Sequence, residues 1–158
     1  MKPVHWIFAA VLVAAGTAAA QPRAQANDPD AKEISEYRLN MGVIQRYAAF
    51  VKKAGDDPAC RKCFDNNPPG KAPTLDAGEK IINACPAAVA GLKAAGIKPR
   101  EFLILTAALI GDMTAVGMKK AGAIQKYPPS ISPENAAFVE TNYDKLKDLL
   151  AGLAKHDQ

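Results

Sequence analysis

The run Phe102 to Met118 (FLILTAALIGDMTAVGM) restricts the fold more than any other part of the chain. A stretch this apolar serves either as a membrane span or as a helix packed inside a protein. A span needs about 20 apolar residues, and a charge at its centre costs roughly 2.5–3.5 kcal/mol on insertion scales. This run is shorter, contains Asp112, and is closed by Arg100-Glu101 on one side and Lys119-Lys120 on the other. The expectation is a core helix around which the others pack. At about 100° per residue its positions divide three ways. Phe102, Thr106, Leu109, Met113, Val116 and Lys120 share one broad, mostly apolar side. Ala107, Gly111, Thr114 and Met118 form a side of small residues, where a backbone can approach closely or an apolar pocket can be lined. Glu101, Ala108, Asp112 and Lys119 form a narrow side expected to face water, with Asp112 a surface carboxylate.

Start and stop signals place the other helices. Asp28-Pro29 reads as N-cap and first helical residue, opening a helix expected to run to about Ala54. Ile34, Tyr37, Met41, Ile44, Ala48 and Val51 recur along it at spacings of three and four, widened by Val43, Tyr47 and Phe50. Residues 55–73 (GDDPACRKCFDNNPPGKAP) read as a long loop with room for one short helical turn near the cysteines. Thr74 caps a short helix over Leu75–Ala84, Pro86 interrupts it, and a second short helix reaches Ala95. Gly96 ends that helix and Ile97 supplies the apolar contact beyond it. Lys98, Pro99 and Glu101 then start the central helix as N-cap, N1 and N3. Ser132-Pro133-Glu134 starts the last helix, which runs to about Lys155 on a seam of Val139, Tyr143, Leu146, Leu150 and Leu153. Alternating β-branched runs are absent. The class is therefore all-α: an antiparallel four-helix-type bundle with one kinked or split helix, a single domain over residues 29–155.

The first twenty residues do not belong to that domain. Lys2 precedes an apolar stretch from Val4 to Ala15, and Ala18-Ala19-Ala20 offers a small-residue cleavage site, the pattern of a secretory signal peptide. Residues 21–28 are expected to be disordered. The protein is expected to be periplasmic or secreted, with no stable membrane span after cleavage. Loss of Lys2 lowers the formal net charge from +4 to +3. That basicity does not predict nucleic-acid binding. Lys52-Lys53, Lys93 and Lys119-Lys120 each stand just before a glycine (Gly55, Gly96, Gly122), as cations do in last helical turns.

Chemistry-bearing residues are few. Cys60, Cys63 and Cys85 in an oxidising compartment predict one disulfide, with three pairings open and one cysteine left over. A bond from Cys85 to Cys60 or Cys63 would staple the loop to the break before Pro86. The spacing Cys60-Arg61-Lys62-Cys63 also permits thiol redox chemistry, with Arg61 and Lys62 favouring a thiolate. No βαβ pattern surrounds it. Covalent haem is not expected, because Phe64 follows Cys63 where a haem motif has His. No metal site is expected: a zinc set would need His156, close to the C-terminus. Met41, Met113 and Met118 read as core filler. Tyr37, Tyr47 and Tyr143 read as packing residues with the hydroxyl at the rim. No Ser–His–Asp set, phosphate-binding glycine loop or HExxH motif is present, so no catalytic residue is expected.

The segments IKPREFLILTAALIGDM and ISPENAAFVETNYDKLKDLL together resemble a recurrent pattern in exported bacterial helical proteins of uncharacterised function. The resemblance covers roughly the second half of the chain. It implies a helical fold and carries over no site residue. The functional expectation is a non-enzymatic exported bundle that binds a small ligand or a protein partner. The alternative is a periplasmic thiol-redox protein using Cys60 and Cys63.

Overall fold

The computed structural model describes residues 28–65 and 68–154. The expected signal peptide, the segment 21–27 and His156 lie outside the described residues. Those described contain seven α-helices, one 3₁₀ turn and no strand: α1 (Pro29–Glu36), α2 (Met41–Asp56), α3 (Pro58–Phe64), the 3₁₀ turn Pro69–Lys71, α4 (Leu75–Asn83), α5 (Pro86–Ala95), α6 (Pro99–Lys120) and α7 (Pro133–Ala154). The helices pack as a bundle around α6, whose neighbours are α4, α7, α1 and α5.

The punctuation residues act as their chemistry dictates. Asp28 Oδ1 accepts from Asp30 N, Thr74 Oγ1 from Ala77 N, and Ser132 Oγ from Asn135 N. Glu101 folds back so that its carboxylate accepts from Lys98 N. That half of a capping box starts α6 even though the lysine side chain has no acceptor to offer. Gly96 (φ 67°) and Gly122 (φ 73°) adopt the left-handed conformation that a Cβ disfavours. Beyond them Ile97 N donates to Leu92 O and Ala123 N to Met118 O, closing α5 and α6.

Three expectations are corrected. The long helix from Pro29 to Ala54 is two helices. Tyr37 leaves α1 in extended conformation, and Asn40 caps α2 by accepting from Val43 N. The loop of residues 55–73 contains a seven-residue helix, α3. Gly55 is not a helix terminator, since α2 runs through it to Asp56. Asp57 makes the turn instead. Its N–H donates to Ala54 O and Lys53 O at the end of α2, and its carboxylate accepts from Ala59 N at the start of α3.

The core follows the helical periodicity. Ile44, Tyr47, Ala48, Phe50 and Val51 of α2 are buried. They meet Ile82, Ala88, Leu92, Leu105, Leu109, Val116, Val139 and Leu146 from the other helices. Phe102 of α6 stacks on Tyr47 and meets Phe50 edge-on, with ring centroids 5.3 and 5.4 Å apart. Glycines let helices approach: a Cβ at Gly78 would lie 2.9 Å from Leu103 Cδ1, at Gly91 2.9 Å from the Phe50 ring, and at Gly117 2.7 Å from the Tyr143 hydroxyl. These three contacts seat α4 on α6, α5 on α2, and α7 on α6.

Candidate functional site

The cysteine region resolves the pairing that spacing left open. Cys63 and Cys85 form the disulfide, with Cα atoms 5.7 Å apart, and join α3 to the turn before α5. Cys60 is a free, buried thiol. One helical turn separates it from Cys63, and the apolar surroundings of α2 and α5 take it in. Burial first, and the nearby Asp57 carboxylate second, push its pKa above that of an ordinary thiol. Arg61 and Lys62 are exposed and do not produce the thiolate that the CxxC spacing suggested. The two cysteines of that spacing therefore have different fates.

Cys60 lines a cleft of about 240 Å³ between α2, α3 and α5. Its apolar walls are Phe50 and Ala54 on one side and Ala87, Ala90, Gly91 and Ala94 on the other, with Lys53 and Asp57 also in the lining. The small residues of α5 create the space, because α5 presents little beyond Cβ atoms along this face. Phe50 leans over Gly91 and closes one end. The cleft offers apolar contact, one thiol, one ammonium and one carboxylate. An apolar cavity of roughly 150 Å³ already accepts benzene, so this cleft has room for a compact molecule of one or two rings.

The small-residue side of α6 lies elsewhere. Gly111, Thr114 and Met118 are exposed and Ala107 is half-buried, and nothing lies within 4 Å of a Cβ built on Gly111. Ile110 joins them on the outward face; it and Met118 are 44% and 43% exposed. Met118 is thus not core filler, whereas Met41 and Met113 do pack against the core. The four residues Ala107, Gly111, Thr114 and Met118 are not brought together with the cysteines. Although α6 is long and apolar enough to cross a membrane, eight of its side chains are buried against its neighbours.

The side expected to face water is the one α7 covers. Ala108, Asp112 and Ala115 are all buried, Asp112 to 3% exposure. The expectation of a surface carboxylate is corrected here, because α7 packs along α6 and closes over this edge. Asp112 sits beside Asn135 at the start of α7, and its Oδ2 has no hydrogen-bond partner. Asn135 is itself buried and reaches the joint between α1 and α2: its Nδ2 donates to Tyr37 O at 2.8 Å and its Oδ1 accepts from Leu39 N at 3.0 Å. Burial pushes the Asp112 pKa up to about 6, opposed by the hydrogen bond with Asn135.

That shift has a testable sign. The folded chain holds the Asp112 proton more tightly than the unfolded chain does, so folding is penalised as pH rises through the window from about 4 to about 6. Above that window the penalty is complete, and below it the penalty vanishes. Asp112→Asn is expected to stabilise the protein at pH 8 by about 1–2 kcal/mol, allowing for partial solvation, with the gain disappearing toward pH 4. Urea unfolding of both proteins at the two pH values checks this. An equal gain at both would show that the carboxyl is not the cause.

Three features had no counterpart in the sequence reading: the cleft, the Asn135 contact, and a cluster of carboxylates around Arg100. Asn40 and Asn135 each stand where a helix start can use them, and that spacing is the one signal that pointed to either. The described residues hold no group of three or more His, Cys, Asp or Glu side chains arranged to bind a metal ion. Comparison of the chain with family models, with curated proteins and with solved structures found no match in any of the three.

Proposed function

We propose that the chain is an exported, non-enzymatic helical-bundle protein, an antiparallel four-helix-type scaffold in which α4 and α5 form one split arm. Its activity is binding a compact apolar ligand in the cleft between α2, α3 and α5. The observation that carries the reading is the cleft itself: about 240 Å³, walled mainly by alanine, glycine and phenylalanine, next to the only disulfide among the described residues. The staple holds α3, which carries Cys60 into the lining, against the start of α5. Small-molecule sites are usually preformed, mostly apolar clefts of about 300–1,000 Å³; this cleft lies just below that range, which restricts it to a compact ligand. The leader-like pattern of residues 1–20 and the disulfide both suit an oxidising compartment. The thiol-redox alternative draws no support from this arrangement, since Cys63 is bonded to Cys85 and Cys60 is buried with a raised pKa.

Indole is a suitable probe, being bicyclic and apolar with one donor. Titration followed by amide chemical shifts is expected to move Cys60, Ala90, Gly91 and Ala94 together, with saturation. Ala90→Phe fills the cleft from an exposed position and is expected to weaken the response at least tenfold. Shifts that are absent, scattered over the surface or unchanged in the variant would remove the basis for a ligand in this cleft.

A further inference from the structure

The helix α1 is attached differently from the rest of the bundle. None of its residues is buried. Only Ile34, and Tyr37 just beyond its end, pack partly on the core. What holds it are polar contacts to other elements. Arg100 of α6 clasps Glu33 with Nε at 2.9 and 3.0 Å from the two carboxylate oxygens and NH2 at 2.6 Å from Oε2. The same guanidinium lies 3.6 Å from Asp30 Oδ1, while Asp30 Oδ2 accepts from Leu75 N at the start of α4. The Tyr37 hydroxyl donates to Glu101 Oε1. Arg100 also binds Asp76 at 2.6 Å and approaches Glu79 at 3.7 Å, so it keeps carboxylate partners on α4 whether or not α1 is in place.

The chain on the far side of α1 is built to stay behind. Leu39 is buried, and Asn135 grips its N–H. Asn40 caps α2 with its own side chain. The α2 start therefore needs nothing from α1, and Tyr37 and Asn40 between them are extended. An isolated helix of eight residues is far below the length that is stable in water, so α1 exists as a helix only while docked.

We propose that residues 28–38 form a strap that undocks from α6 and unwinds as a unit, hinged at Leu39–Asn40, and that ionic strength sets how often it does so. The dependence on salt arises because the main clasp is an ion pair at a partly exposed site, with 30% of the Arg100 side chain and 40% of the Glu33 side chain accessible. Mobile ions screen such a pair, while the apolar core is not weakened by them. Opening leaves the core closed and bares the Arg100 guanidinium, the Leu75 N–H and the footprint of Ile34 and Tyr37; it also breaks the Asn135 Nδ2–Tyr37 O hydrogen bond and the Arg38–Glu134 ion pair, while the Leu39 N–H stays on Asn135 Oδ1. The strap is independent of what fills the cleft, which is walled by other helices.

Hydrogen exchange of the full chain, read by mass spectrometry at pH 7 in 20 and in 500 mM NaCl (concentrations of about these values suffice, given the screening lengths), tests the strap. Peptides covering residues 30–38 are expected to exchange about 100-fold faster than those covering 103–116, yet slower than an unstructured chain. High salt is expected to raise the strap rate about three- to tenfold relative to that core segment. Glu33→Gln is expected to show a raised rate already in low salt and a smaller salt response, the weaker Asp30–Arg100 and Arg38–Glu134 pairs remaining, with an unchanged urea midpoint for the core. Exchange of 30–38 at the rate of 103–116 would mean that α1 opens only with the whole fold. Exchange at unstructured-chain rates would mean that it is never docked. A strap-to-core ratio indifferent to salt would remove the ionic clasp. Each of these results overturns the proposal.

Discussion

Reduction of the Cys63–Cys85 bond is expected to destabilise the protein by roughly 3 kcal/mol. The bond closes a loop with a sequence separation of 22, and in the chain-entropy model that loop removes conformations mainly from the unfolded state. A loss of this size is a large fraction of the stability of an ordinary domain. It falls on a region with little else to hold it: α3 is a seven-residue helix whose only buried side chain is Cys60. Cys63→Ser is the cleaner variant, because Cys63 is exposed, whereas Cys85 is 1% exposed and its replacement would also disturb packing. Urea unfolding of the native protein with and without reductant, beside Cys63→Ser, gives the measurement. The reduced protein and the variant should share one lowered midpoint. A midpoint unmoved by reductant would show that the staple carries no stability. Cys60→Ser is expected to keep the disulfide, and its loss in that variant would show that Cys60 is the true partner.

Replacing the buried Asn135 by alanine is expected to cost about 2–4 kcal/mol. Its amide serves two backbone groups of the α1–α2 joint, Tyr37 O and Leu39 N, and is also the hydrogen-bonding neighbour of Asp112. Truncation leaves the buried Leu39 N–H without its acceptor, and unpaired buried groups cost roughly 1–3 kcal/mol each. It also leaves the Asp112 carboxyl without the one hydrogen bond that opposes its burial, so the penalty should be larger at pH 8 than at pH 4. Urea midpoints at both pH values, with exchange of the Leu39 amide as a local readout, check this. A loss below about 1 kcal/mol, or one independent of pH, would show that water replaces the amide without cost.

Much of the helical plan was legible because single residues carried it. Pro99 and Pro133 stand at first helical positions, Thr74 and Ser132 are caps, and Gly96 and Gly122 are left-handed stops; each acts through its own backbone chemistry. The break at residues 37–40 was not legible. Its apolar spacing continues straight through from Ile34 to Ile44, and the reason to stop lies a hundred residues away in Asn135. Asp112 was misread for a related reason. Spacing along one helix shows which residues share a side, but the number of sides covered depends on how many neighbours arrive. With α7 on one edge and α4 on another, Ile110, Gly111, Thr114, Met118, Lys119 and Lys120 are left exposed, with Ala107 half-buried beside them. The cysteine pairing was open for the same reason: loop length allows Cys60 and Cys63 equally, and only the rotation of α3 turns one inward and the other toward Cys85. Among the site residues, the sequence therefore pointed to the cysteines and missed the alanine walls beside them, since an alanine is informative only once its neighbours are known.

The position of the staple along the chain also orders events in time. Cys63 and Cys85 both precede α6 and α7, whereas the contacts of Asn135 join residues 96 and 98 positions apart. A chain emerging N-terminus first from a ribosome or a translocation pore presents both cysteines while its last two helices are still inside. The covalent ring can close on that unfinished chain. The amide that secures the α1–α2 joint arrives only with the final helix, so in an oxidising compartment the ring is able to close before that joint is secured.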